Sequence, residues 1–285
     1  MGMKPLRTAK TVTVLARLVP ALLASFILAG AAQAQPSEAE RAARWADLRH
    51  AIFGERTVED AGDRLAIEAP MRAEDAAVVP VAIRSAEPFA SEIRGLYLVI
   101  DDNPSPLAAH FIFGPLADTR KVATRVRIDD YTYLHAVAET ADGHLYATAR
   151  FIKAAGGCSA PATADQALAQ KRLGQMKLVL APRAAPDAPL AAKLLISHPN
   201  SSGLQMDPLT RNYIPADFVQ TVEVTYDGKR VFRLDSDIAI SEDPAFNFSF
   251  RPADAGSAGT LTAAVLDSNQ RHFTKSWPVS PAPQM

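Results

Sequence analysis

From residue 65 onward, apolar side chains recur at every second position in short runs, and turn-forming residues close each run. A period of two places alternate side chains on opposite faces of an extended chain, which is the pattern of a strand with one buried face. Leu65–Ile67, Ala77–Ile83, Ile93–Ile100, Ala109–Phe113, Val122–Ile128, Tyr131–Glu139 and Leu145–Ile152 carry it in the first half. In the second half it returns in Ala191–Ser197, Phe218–Tyr226, Arg230–Leu234, Phe246–Phe250, Thr260–Leu266 and Arg271–Trp277. Asp142-Gly143 and Tyr226-Asp227-Gly228-Lys229 are hairpin turns, and Asp102-Asn103-Pro104-Ser105-Pro106 is a turn rich in φ-setting residues. Short strands at this spacing favour sandwiches over any α/β arrangement. The fold class expected is all-β, two immunoglobulin-like β-sandwich domains with a short N-terminal helix on the first.

That helix is announced by Ser37-Glu38-Ala39-Glu40, a capping-box pattern. Ala39–Phe53 then places Trp45, Leu48, Ile52 and Phe53 on one face, and Gly54 closes it. Between Ser159 and Pro189 the composition shifts to Ala, Pro, Gln and Asp. Ala164–Met176 could form a short helix there, but the surrounding prolines mark a connector. The domains expected are residues 35–158 and 190–285, joined by a linker over 159–189.

Residues 1–34 read as an export signal. Lys4, Arg7, Lys10 and Arg17 precede an apolar run from Leu18 to Ala29, followed by Ala32-Gln33-Ala34. The run is shorter than the roughly 20 residues a membrane span needs. Removing it leaves 251 residues with 26 basic against 31 acidic side chains. That balance suits a soluble protein without membrane insertion and gives no footprint for nucleic acid.

Cys158 is the only cysteine. In an oxidising compartment it has no internal disulfide partner, and it stands in Ala154-Ala155-Gly156-Gly157-Cys158-Ser159-Ala160-Pro161. The expectation is a covalent attachment point at the junction of the two sandwiches. Gly156 and Gly157 would make a flexible arm that extends at most about 20 Å from the sheet end. Lys153 and Arg150 would favour the thiolate. An accidental surface cysteine, or one buried in a small apolar pocket, is the plainer alternative. A thiol enzyme needs a neighbouring base, and His50, His110, His135, His144, His198 and His272 are scattered along the chain. Asp101-Asp102 and Asp129-Asp130 sit at turns and are expected to be solvated. No metal-ligand spacing, phosphate loop or dinucleotide fingerprint is present, so neither a metal nor a cofactor is expected.

The chain resembles the sulfur-carrier proteins SoxY and SoxZ of bacterial thiosulfate oxidation, joined head to tail, and more closely the single-chain SoxYZ-like carriers associated with quinoprotein dehydrogenases. Phe53-Gly54, Ala77–Val81 and Gly156-Gly157-Cys158 carry the first part of this likeness. Ser197-His198-Pro199, Ser202-Gly203, Tyr213-Ile214-Pro215, Val222–Val224, Tyr226–Gly228 and Ile240–Phe248 carry the second. The resemblance implies a periplasmic, non-catalytic carrier with a sulfur intermediate on Cys158. Its partners would be oxidoreductases or hydrolases acting on that group, a quinoprotein dehydrogenase system among them. The family's separate carrier ends in Gly-Gly-Cys-Gly-Gly, whereas Ser159-Ala160-Pro161 continues this chain into a loop tethered at both ends. The alternative function is a two-sandwich interaction module whose Cys158 forms a mixed disulfide with a partner or a second copy.

Overall fold

The computed structural model describes residues 1–2, 35–161, 166–183, 185, 188–252 and 258–280. Residues 3–34 of the expected export signal and the first residues of the expected connector helix lie outside this set. The N-terminal helix α1 spans Glu38–Phe53 and starts as its sequence demands. The Ser37 hydroxyl accepts from the Glu40 amide at 3.3 Å, and the Glu40 carboxylate accepts from the Ser37 amide at 2.7 Å. Gly54, at φ +63°, ends it. Phe53, Trp45 and Ile52 pack against Val58, Tyr97, Val137 and Leu145. Arg41 is buried on the same side, donating to Tyr131 O at 3.0 Å and lying over the Phe151 ring.

Strands β1 (Val58–Asp60), β2 (Leu65–Glu68) and β3 (Val79–Ser85) follow, then a short helix α2 (Phe89–Glu92). Next come β4 (Ile93–Ile100), β5 (Leu107–Phe113), β6 (Ala117–Val126), β7 (Thr132–Thr140) and β8 (Leu145–Ile152). After helix α3 (Gln166–Arg172) the chain adds β9 (Met176–Leu180), β10 (Leu190–Ile196), β11 (Val219–Tyr226) and β12 (Lys229–Ser236). It ends with β13 (Ala245–Phe250), β14 (Gly259–Asp267) and β15 (His272–Val279). Every expected strand is present, and β4 and β8 have the expected limits. Strand β6 leaves its sheet at Val126, two residues early, because Arg127 and Ile128 donate instead to Ala239 O and Ala76 O at 2.7 and 2.9 Å. Strand β9 falls where a connector was expected. Five residues, four of them apolar, are too few for periodicity to separate strand from loop, and pairing with β10 decides the matter.

The strands form two sheets. Nine run in the order β1-β8-β7-β4-β5-β12-β11-β14-β15, and six in the order β2-β3-β6-β13-β10-β9. The all-β class with its short N-terminal helix therefore holds, and the two halves share both sheets. Strand β5 pairs antiparallel with β12, placing Phe111 opposite Leu234, and β6 pairs antiparallel with β13. Between the sheets lies one continuous core. Phe111 of the first half stands 5.8 Å from the ring of Phe232 and 6.4 Å from that of Phe246 in the second. Phe246, Phe248 and Phe250 all point inward, as their alternation predicted. Among the described residues no helix is long and apolar enough to cross a membrane.

Candidate functional site

Cys158 follows β8, at the end of the nine-stranded sheet. The chain leaves Ile152 beside the Met71–Ala76 turn, where Lys153 N donates to Met71 O at 2.8 Å. It then folds back instead of extending. Gly156 N donates to Asp129 O at 2.7 Å, and Gly157 N to Ile128 O at 2.9 Å. Both glycines are required by this path. Gly156 sits at φ +76°, a conformation that a Cβ disfavours. A Cβ on Gly157 would lie 2.1 Å from Ala76 O and 2.6 Å from Ile128 O.

The second half covers the segment. The Ser202 hydroxyl donates to Cys158 O, and Gln205 Nε2 donates to Ala160 O at 2.8 Å. Arg127 bridges the two sides, with Nη1 donating to Gly157 O at 3.2 Å and Nη2 to Asn200 O at 3.3 Å. Cys158 N points at the Asp129 carboxylate, 3.3 Å away. The thiol is free and fully buried. Burial pushes its pKa up to about 12, the Asp129 carboxylate adds to the rise, and the Arg127 guanidinium opposes it.

Two expectations change here. The Gly-Gly stretch does not make an extended arm; it permits a close-packed turn that tucks the cysteine under the second half. The thiolate is disfavoured, because Lys153 and Arg150 do not act on it while burial and Asp129 do. The cysteine does lie at the junction of the halves, as expected.

The covering segment, residues 197–217, has a rigid base. His198 is buried and its Nδ1 accepts from Asn200 N at 3.1 Å, which leaves the ring hydrogen on Nε2. Nε2 faces Asp267 at 3.4 Å and Asp217 at 3.5 Å. Arg271 joins both carboxylates, with Nε 2.6 Å from Asp267 Oδ2. These three side chains are close enough to hold a cation. However, Arg271 already bonds both carboxylates and a hydrogen occupies the facing ring nitrogen, so the cluster is a hydrogen-bonded anchor. Burial lowers the His198 pKa against the pull of the two aspartates. Asn200 completes the base, accepting from Val219 N at 3.0 Å and donating to Ile240 O at 2.9 Å. The tip is different: Leu204, Met206, Leu209 and Tyr213 are exposed, Leu209 to 91% and Tyr213 to 66%.

The acidic turns are not solvated as expected. Asp101 is buried against His135 Nε2 at 3.1 Å, and Trp45 stacks on that imidazole at 3.7 Å. Asp102 pairs with Arg44 at 2.6 Å. Asn103 accepts from Asp129 N at 2.9 Å and donates to Arg127 O at 2.8 Å, so the Asp101–Pro106 turn buttresses the bed under Cys158. Asp130 alone is exposed. None of the six histidines hydrogen-bonds to Cys158. Arg127, Ser202 and Gln205 escaped sequence reasoning as partners of the backbone at Gly157, Cys158 and Ala160. By the period of Val122–Ile128, Arg127 should face solvent, yet it is buried with its guanidinium on Gly157 O and Asn200 O.

Residues 49–158 match the family model described as sulfur oxidation protein SoxY, a match that ends on Cys158. Residues 177–278 match the one described as sulphur oxidation protein SoxZ. No curated protein matches the chain. Among solved structures it is similar to the sulfur carrier protein SoxY from Chlorobium limicola f thiosulfatophilum, at 28% identity over 41% of this chain and 96% of that one, with a TM-score of 0.35.

Proposed function

The chain is a sulfur-oxidation carrier, not a catalyst, in which a SoxY domain is followed by a SoxZ domain, and on that premise we propose that Cys158 holds a thiosulfate-like intermediate covalently in the periplasm. The observation that carries this reading is the position of the sole thiol. It closes the SoxY match, and Ser202 and Gln205 of the SoxZ match hold the backbone around it at Cys158 O and Ala160 O. The export-signal pattern of residues 1–34 supports the periplasmic location.

A carrier thiol has to be unreactive while empty and reachable when a partner calls for it. Burial meets the first need, since a thiol held near pKa 12 is almost wholly protonated at neutral pH. Release meets the second. The backbone of residues 156–160 is held by a handful of hydrogen bonds, each worth about 0.5–1.5 kcal/mol net, so local opening is accessible without unfolding the sheets. Partners are enzymes that oxidise or hydrolyse the carried group, a quinoprotein dehydrogenase system among them. The exposed Leu204, Met206, Leu209 and Tyr213 support docking beside the cysteine, because apolar side chains gathered at a surface mark interaction sites. They ride on the segment that covers the cysteine, so a partner bound there would pull on Ser202 and Gln205.

Intact-mass spectrometry of protein purified from its native periplasm tests the proposal. A reductant-sensitive mass increment that maps to Cys158 is expected. Unmodified thiol alone, in cells actively using the pathway, would sink it.

A further inference from the structure

The segment that covers Cys158 starts at a side chain that can take up a proton. Nδ1 of His198 accepts from the backbone N–H of Asn200 at 3.1 Å, and both residues are buried. From Asn200 the contacts run straight to the cysteine turn. Asn200 O accepts from Arg127 Nη2 at 3.3 Å, and the same guanidinium donates to Gly157 O. Ser201 and Asp217 exchange two backbone hydrogen bonds of 2.8 and 3.0 Å. The Ser202 hydroxyl donates to Cys158 O, while the Ser202 N–H donates to Gln205 Oε1 at 3.2 Å and Gln205 Nε2 donates to Ala160 O.

Charged groups surround the ring unevenly. Asp267 and Asp217 face Nε2, and Arg271 of the β14–β15 turn bonds to both. Asp243, before β13, accepts from the His198 backbone N–H at 3.1 Å and lies 3.6 Å from Arg172 of α3. Because the ring hydrogen is on Nε2, an added proton must go to Nδ1. An imidazolium donates from both nitrogens, so its Nδ1–H would meet the Asn200 N–H donor to donor, and a buried donor without an acceptor is costly. If the segment lifts, both donors reach water and the imidazolium keeps Asp267 and Asp217 as counter-ions. Burial of the ring in the closed arrangement, which lowers the His198 pKa, acts in the same direction.

We propose that His198 is a proton-operated latch on the cover of Cys158: a proton on Nδ1 expels the Asn200 N–H, and residues 199–205 then release the turn that holds the thiol. Two arrangements follow. A neutral ring binds Asn200 and keeps the cover closed; a charged ring frees Asn200 and opens it. The closed arrangement excludes the proton that the open one accepts, so opening becomes easier as pH falls below about 6.5, by up to tenfold per pH unit. This is a local opening at one end of the sheets, with the core between them intact. It concerns access to the thiol and holds whatever the cysteine carries.

The test labels Cys158 of the full mature chain with dipyridyl disulfide, which stays reactive in acid because its rings protonate. The thiol sulfur forms a disulfide with one pyridylthio half, and the other half leaves as thiopyridone with the thiol proton. Dividing the native rate by that of the urea-unfolded chain at the same pH removes the pH dependence of the reagent and of the thiol itself. The ratio is expected to rise on the order of tenfold from pH 7.5 to 5.5, while far-UV circular dichroism stays native. Its dependence on low urea should be much weaker than that of global unfolding. In His198→Asn, whose amide oxygen can accept from the Asn200 N–H without titrating, the ratio should stay level. A level ratio in the wild-type chain, a rise that survives His198→Asn, or a urea dependence equal to that of global unfolding overturns the proposal. Should His198→Asn fail to fold, the imidazole nitrogen resonances of the wild-type chain decide. The closed chain must keep His198 neutral, with its hydrogen on Nε2, below pH 6.5; a ring that charges at its ordinary value while the thiol stays protected rejects the latch. Failure here leaves attachment at Cys158 in the cell untouched, because that is read from the mass of the native protein.

Discussion

The hydroxyl of Ser202 donates to the carbonyl oxygen of Cys158. A side chain of the SoxZ domain thus holds the backbone of the residue that ends the SoxY domain, and with Gln205 on Ala160 O it makes exposure of the thiol a property of both halves.

Weakening that grip should speed labelling of the thiol. Ser202→Ala with Gln205→Ala removes two hydrogen bonds worth about 1 kcal/mol each, so iodoacetamide should modify native Cys158 on the order of thirtyfold faster than in the parent. An unchanged rate would mean that the thiol is reached by another route.

The glycines give a sharper contrast. If Gly156 and Gly157 only supplied flexibility, alanine at either position would be nearly silent. With Gly157 pressed against Ala76 O, Gly157→Ala cannot keep the turn, and native labelling of Cys158 should rise toward the rate of the unfolded chain. Gly156→Ala meets no neighbour but adopts positive φ, at a cost of about 1–2 kcal/mol, and should show a smaller rise.

Alkaline pH should destabilise the fold through the thiol. In the folded chain it holds its proton to about pH 12, against 9.0 ordinarily. Between those values the unfolded chain has released a proton that the folded chain keeps, so stability falls as pH rises through the window. Chemical denaturation from pH 8 to 11 should show this slope, and Cys158→Ala should remove the part of it below pH 10, where Tyr97 does not yet contribute.

On the acid side, His198 acts with the opposite sign. Burial lowers its folded pKa below 6.5, so the unfolded chain takes up the proton first and stability declines as pH drops below about 6.5. His198→Gln should remove that part of the slope in urea melts between pH 5 and 8. The Asp267 carboxylate, whose pKa is lowered by its hydrogen bonds to Arg271 against the cost of burial, contributes only at lower pH.

Because the sheets run through both halves, unfolding of residues 36–280 should be one transition. Phe111→Ala, at the contact with Phe232 and Phe246, should lower stability by about 3–5 kcal/mol and keep a single calorimetric peak. Two separated peaks would show that the halves melt independently.

The sequence by itself determined the elements and the attachment candidate. Alternation such as Phe246-Phe248-Phe250 declares a buried face through local geometry alone, and Ser37 with Glu40 declares a helix start within one turn. The lone cysteine and its Gly-Gly neighbours were equally legible, as was the order of the two halves. What those residues do to one another was decided only by the tertiary structure. Whether Gly-Gly swings or packs depends on Ala76 and Ile128, and whether Arg127 meets solvent or the turn before the cysteine depends on Gly157 and Asn200. The same holds for Asp101 and Asp129, whose turns looked solvated until His135 and the Cys158 amide closed on them. Periodicity reports which face of a strand is apolar. It carries no record of which distant backbone will cover the end of that strand, and here that cover sets the burial, charge and accessibility of the thiol.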